Sequence, residues 1–281
     1  MNPPAVLPFI TAPLRDTAAW ATAFDQTDIP VLTATAQCIE EWRANEDAAD
    51  AHLLAESLAD DPLMTLKVLR HVAARRSSRA LTDPETVTAA IVLLGITPFF
   101  ESFKDLPTIE ARLAEHPDAL AGISTVLRRS HRAARFALGF AVHRMDHDAA
   151  VIHEAALLHD FAEMLLWAHA PSLALQIRSL QEANPEMRTA AAQRSVLGVR
   201  LADVQQALML QWRLPELLVR ISNDHVSTAP QVRNVQLAIR VARHSSHSWD
   251  NPALPDDLAE LSNLLNLSPP HVQQLLLELD N

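Results

Sequence analysis

The chain has 281 residues, 49% hydrophobic and 20% charged, a balance too apolar and too weakly charged for a disordered protein. With 23 Lys and Arg against 34 Asp and Glu the formal net charge is −11, which disfavours sequence-independent binding to a phosphate backbone. No apolar run approaches the ~18 residues of a membrane span, Met1 to Arg15 lacks a secretory signal, and Cys38 is the only cysteine, so the expectation is a cytoplasmic protein without disulfides or a thiolate-rich metal site.

Four glycines and no tyrosine, against abundant Ala and Leu, predict an all-α fold, because tight hairpins need Gly or Asn-Gly turns. Neither a GxGxxG nor a GxxxxGK pattern is present to cradle a phosphate. In chain order, a polar lead-in over residues 1–27 ends at Asp28-Ile29-Pro30, and helices are predicted from about Thr33 to Asn45 and from Ala51 to Ala59. Asp61 caps the next, with Pro62 in its first turn, where the missing N–H is harmless. It stops near Arg70, His71, Arg75, Arg76 and Arg79, read as cations over a helix end rather than a nucleic-acid groove. Asp83-Pro84-Glu85 opens another, with Val87, Ala90, Ile91 and Leu94 buried and Gly95 at its end.

A long helix follows Pro117 to about His147, its apolar face carrying Ile123, Val126, Leu127, Ala134, Leu138 and Val142. A second, Ala150 to Ala168, is apolar on most sides and belongs at the centre of a bundle. Shorter helices are predicted around Leu173–Glu182, Pro185–Leu197, Ala202–Trp212, Pro215–Asp224, Pro230–Ser246, Asp256–Leu265 and Pro270–Leu279. There is no fixed-period repeat, and Thr82 to Asp118 is the natural place for a hinge between helical halves over residues 28–116 and 117–281.

Inside the second long helix His159 and Asp160 stand side by side, which is costly unless something satisfies them. A divalent metal would do so, since imidazole and carboxylate together suit zinc, manganese or iron. Hydrogen bonds would do so equally, with Asp160 orienting a neighbour and His159 bonding a backbone carbonyl.

Leu157-Leu158-His159-Asp160-Phe161 resembles the central signature of the HD superfamily of metal-dependent phosphohydrolases. The remaining elements resemble its regulatory branch, the HDOD (HD-related output) domains of bacterial signalling proteins. They are Ile29-Pro30-Val31-Leu32, Asp60-Asp61-Pro62-Leu63 with Val68-Leu69-Arg70, Ala90-Ile91-Val92-Leu93-Leu94-Gly95, and Trp212-Arg213-Leu214-Pro215. The ordered set spans about residues 28 to 225. It implies an N-terminal helical part packed on a degenerate HD-type helical bundle. In the family's active enzymes an earlier histidine, the central pair and later His and Asp residues bind metal. Aligned through Ser130 and Ala134 the earlier histidine falls on Arg129, and His131 lies about 200° round the helix from it. A later histidine falls on Leu201, and the late His-His pair on Asp224-His225. The resemblance therefore implies a relic site of His159, Asp160, Arg129, Asp224 and His225, with Arg129 available to pair with Asp160 or Asp224. Any metal would rest on His159, Asp160 and Asp224 alone, so no cofactor is expected. The family's Asn-Ser-Ala stretch is replaced by His71-Val72-Ala73-Ala74, so a partner of relatives need not be shared.

Other polar residues read as structural. His143 and His147 with Asp146 sit at a solvated helix end, and His244 and His247 at a fraying one. Asp25, Glu40, Glu41, Glu46 and Asp47 look like solvated faces, Cys38 like a small buried residue, and Trp42, Trp167, Trp212 and Trp249 like core or interface anchors. The leading expectation is thus a non-catalytic signalling module acting through a protein partner, another signalling protein or a second copy of the chain. Two alternatives remain. One is a metal-dependent phosphohydrolase of nucleotides or cyclic dinucleotides using His159 and Asp160, with a further ligand from His131, Asp224 or His225 and phosphate held by Arg128, Arg129 and Arg132. The other is a non-catalytic nucleotide sensor in which Arg129 binds phosphate.

Overall fold

The computed structural model describes residues 7–58, 61–75, 84–223 and 229–280. Among the described residues the chain is helical throughout, and extended backbone pairs at a single parallel bridge between Val31 and Thr108. The N-terminal part comprises α1 (Thr17–Gln26), α2 (Thr33–Ala44), α3 (Ala51–Leu58), α4 (Pro62–Arg75), α5 (Val87–Leu94), α6 (Ile96–Ser102) and α7 (Ile109–Arg112). The bundle comprises α8 (Pro117–His143), α9 (Ala149–Leu157), α10 (Phe161–His169), α11 (Pro171–Ala183), α12 (Thr189–Leu197) and α13 (Leu201–Gln211). It continues with α14 (Glu216–Ile221), α15 (Pro230–His244), α16 (Leu254–Leu265) and α17 (Pro269–Asp280).

Asp61 ties the N-terminal part together. It is buried, and Oδ1 accepts from Leu63 N and Met64 N at 2.9 Å each, capping α4 as the sequence implies. Oδ2 accepts from Leu32 N at 2.7 Å, so one carboxylate also fixes the entry to α2. The segment read as a polar lead-in carries α1, which Asp16 caps and which packs on α13 with Trp20 and Phe24 fully buried. Composition hides this helix because its apolar face is only one turn wide. Its Asp25 is no solvated residue: Oδ1 accepts from Trp212 Nε1 at 2.6 Å and Arg70 Nη2 at 2.9 Å. The Arg70 guanidinium lies 4.7 Å from the Trp212 ring centroid, and that ring stacks on Phe161 at 5.8 Å. Of the basic cluster, Arg76 and Arg79 lie outside the described residues, as does Asp83. The helix assigned to Asp83-Pro84-Glu85 is capped by Thr86 and begins at Val87, and its Leu94 is half-buried.

The 27-residue α8, about 40 Å long, is the axis of the bundle and packs against α9, α10, α11, α15 and α17. It ends at His143, earlier than expected, because Met145 turns into the left-handed region at φ 56°. Its buried stripe runs through Ala119, Ile123, Val126, Ser130, Ala133, Ala137 and Phe140. Leu138 and Val142, expected on that face, are 38% and 62% exposed, since they lie about 100° or more round the helix from Ala137. Gly122 lets the α10 side chain Trp167 lie on bare backbone; a Cβ there would fall 2.5 Å from the ring. Cys38 is half-buried rather than buried. His244 is not frayed: its Nδ1 lies 2.6 Å from Oδ2 of Asp257, a fully buried carboxylate that also pairs with Arg240 Nη2 at 2.6 Å.

Candidate functional site

The helix expected over Ala150–Ala168 is broken into α9 and α10, and the break is the His159-Asp160 pair itself. The carbonyl of Ala156 accepts from His159 N at only 3.4 Å, that of Leu158 from Phe161 N at 3.1 Å, and α10 restarts on the carbonyl of Asp160. The turn puts both side chains on one side of the backbone, with His159 Nδ1 3.1 Å from Asp160 Oδ1. From α8, Arg129 meets them: Nε and Nη2 donate to Asp160 Oδ2 at 2.9 and 2.6 Å, and Nη2 donates to Glu163 Oε2 at 2.7 Å. The three side chains are only 16%, 12% and 25% exposed, in the order Arg129, Asp160, Glu163.

Electrostatics follow from that geometry. Burial alone pushes the Asp160 carboxyl up, but the guanidinium beside it, helped by His159, holds it well below the ordinary carboxylate range. Burial also works against the charge on Arg129, and Asp160 and Glu163 reverse this, so the guanidinium holds its proton more firmly than usual. The position of Glu163, one turn after Asp160 on α10, was readable as i,i+3 spacing, yet the resemblance gave it no role.

Of the other residues singled out in the sequence, Asp224 and His225 lie outside the described residues. Leu201 is buried, and its N–H donates to Gln193 Oε1 at 3.0 Å. Arg128 and Arg132 do not join Arg129. They share the α8 face of His131 and Arg135 and line a separate cavity of ≈ 630 Å³ with Leu32 and Leu157. There Arg132 is bound to Asp280 at 2.7 Å through both Nε and Nη2, so it is not available to a phosphate. Successive residues point about 100° apart on a helix, which separates Arg128 from Arg129. His143 Nε2 lies 3.2 Å from the Leu265 carbonyl oxygen, and Asp146 accepts from Arg144 Nε at 3.0 Å. Among the described residues no three His, Cys, Asp or Glu side chains gather as a metal-binding group.

Sequence reasoning also missed Glu154, one turn before the central pair. It is buried, Oε1 accepts from Val87 N at 2.6 Å at the start of α5, and burial raises its carboxyl to about 8. The signal was there: a lone glutamate flanked on the following turn by Ala155, Ala156 and Leu157.

The turn between α9 and α10 with its His-Asp pair, the Asp61 cap and the Trp212–Pro215 turn fall within residues 29–228, and this stretch matches the HDOD domain family. The chain belongs to that family. In overall fold this HDOD protein is similar to the MmoQ response regulator of Methylococcus capsulatus, at 18% identity and a TM-score of 0.66 over 89% of this chain and 98% of that one. It is also similar to a virulence factor of Campylobacter jejuni, at 16% identity and a TM-score of 0.61 over 93% and 97% of the two chains. No curated protein matches. Among the described residues of this HDOD chain no helix is long and apolar enough to cross a membrane.

Proposed function

We propose that this HDOD chain is a signal-transduction module that works without catalysis, by binding a protein partner, and that an ion-pair lock occupies its HD-type site. The observation that carries this reading is the Arg129 guanidinium seated on both Asp160 and Glu163. A divalent ion at Asp160 would meet a fixed positive charge on the oxygen it needs, and Leu201 has no lone pair to offer. Among the described residues His159 and Asp160 make two of the roughly three protein ligands that catalytic zinc requires. The donors among the described residues therefore do not fit a metal.

The same contacts weigh against both alternatives. Of the third ligands that phosphohydrolysis would need, Asp224 and His225 lie outside the described residues, and His131 stands with Arg128 and Arg132 on a different face of α8. A phosphate sensor needs Arg129 uncommitted, whereas two carboxylates already leave its surroundings with a formal charge of about −1. A partner interface has a place on α5, where Val92 and Leu93 stand 59% and 60% exposed near His52 of α3. That the MmoQ protein is described as a response regulator agrees with a signalling role.

Mass spectrometry of the purified chain after exposure to excess zinc, manganese and iron tests the reading. The expected result is metal far below one ion per chain and no hydrolysis of bis-p-nitrophenyl phosphate. Near-stoichiometric metal that is lost in His159→Ala would overturn it.

A further inference from the structure

Beside the ion pair, a cavity of ≈ 470 Å³ opens between α8, α10, α11, α12 and α13, within the range of about 300 to 1,000 Å³ that small-molecule sites occupy. One side of its lining is apolar: Leu166, Trp167, Ala174 and Ile177. The Trp167 ring is fixed there by the bare backbone of Gly122 behind it and by the Arg178 guanidinium 5.7 Å from its centroid. Trp167 is only 5% exposed, so what it offers a ring entering the cavity is a narrow apolar contact held firmly in place.

The other side is polar and incompletely satisfied. Arg129 uses Nε and Nη2 and Glu163 uses Oε2 in the ion pair, which leaves Nη1 and Oε1 without protein partners among the described residues. Gln193 accepts from Leu201 N through Oε1 at 3.0 Å. That bond fixes the orientation of the amide, so its Nε2 is a donor with no protein partner among the described residues. In the lining Arg129 and Arg178 stand against Glu163 and Glu182, with His247 the one further titratable side chain, so no excess of fixed charge favours a phosphate.

We propose that this cavity binds a small, electrically neutral heteroaromatic molecule, its ring against Trp167 and a donor–acceptor edge toward Glu163 and Gln193. The inference is independent of whether Asp160 ever holds a metal, because neither His159 nor Asp160 lines the cavity.

Isothermal titration of the full chain with guanosine and nicotinamide, which carry such an edge, tests it beside inorganic pyrophosphate, which does not. Two variants place the ligand. Ala174→Phe fills the apolar side, and Gln193→Glu keeps the acceptor for Leu201 while removing the donor; far-UV circular dichroism checks that both stay folded. The expected result is saturable one-to-one binding of at least one ring compound, weakened roughly tenfold or more in each variant, by lost space in Ala174→Phe and by the loss of about one good hydrogen bond in Gln193→Glu. No binding of either ring compound at millimolar concentration, affinity unchanged in either folded variant, or pyrophosphate bound as tightly would each overturn the proposal.

Discussion

Replacing Arg129 with methionine removes the charge and keeps much of the stem. Two carboxylates then remain in a site where Asp160 is 12% and Glu163 25% exposed. Breaking a buried pair costs ~3–5 kcal/mol, because one partner is left charged and uncompensated. The residual exposure here places the expected loss at the lower end, about 3 kcal/mol, or a fall in Tm of roughly 6 °C for a chain of this size. The pH dependence is the sharper test. With Arg129 present, Asp160 sits well below its unfolded value, so its stabilisation is complete above the unfolded pKa and is lost as pH falls through the folded one. Without Arg129 burial dominates, the carboxyl rises, and taking up a proton relieves the penalty. The gap between Arg129→Met and the parent should therefore be widest near neutrality and shrink toward about pH 4. Urea unfolding at a series of pH values reads both quantities, and Arg129→Met with Asp160→Asn should recover part of the loss. A loss under about 1 kcal/mol at pH 7, or a gap that does not narrow in acid, would refute the view of this trio as a lock.

Glu154 carries a proton in the folded chain up to about pH 8 and releases it near 4.5 when unfolded, so stability should fall as pH rises through that window. Glu154→Gln keeps an acceptor for Val87 and should flatten the profile, with a gain on the order of 2 kcal/mol at pH 8; parallel profiles for the two proteins would contradict this. Asp61→Ala strips Leu32, Leu63 and Met64 of their acceptor at once and should cost roughly 2 kcal/mol or more by urea unfolding. Gly122→Ala would ordinarily gain about 1 kcal/mol in a helix interior, yet a Cβ 2.5 Å from the Trp167 ring should reverse the sign and alter the near-UV spectrum of that indole. An unchanged or raised Tm would show that the ring yields freely.

Local rules carried most of the fold. Asp61 with Pro62 fixes the start of α4, Gly95 the end of α5 and Pro117 the start of α8, because capping and proline geometry act within a few residues. The break at His159-Asp160 escaped the same reading, since both flanks are apolar and helical and Arg129, from a different helix, rewards the turn. Asp25 failed in the same way: it looks like a surface carboxylate in its own segment, yet it is claimed by Trp212 and Arg70 from far along the chain. At the candidate site, family resemblance located Arg129, His159 and Asp160, and helical spacing separated His131 from them. Glu163 was readable from its i,i+3 spacing to Asp160, whereas Gln193 became visible only when the helices were packed together.

The docking of α1 bears on where this protein can be cut. The family match begins at residue 29, after α1 has ended. Yet Trp20 and Phe24 are fully buried, and Asp25 holds the Trp212 indole and Arg70 from across the chain. A fragment trimmed to the homologous stretch would bare an oily scar along α13 and strand an indole N–H beside a cation. Such a fragment should be prone to self-association, and the smallest piece that folds cleanly is longer than the piece sequence comparison picks out.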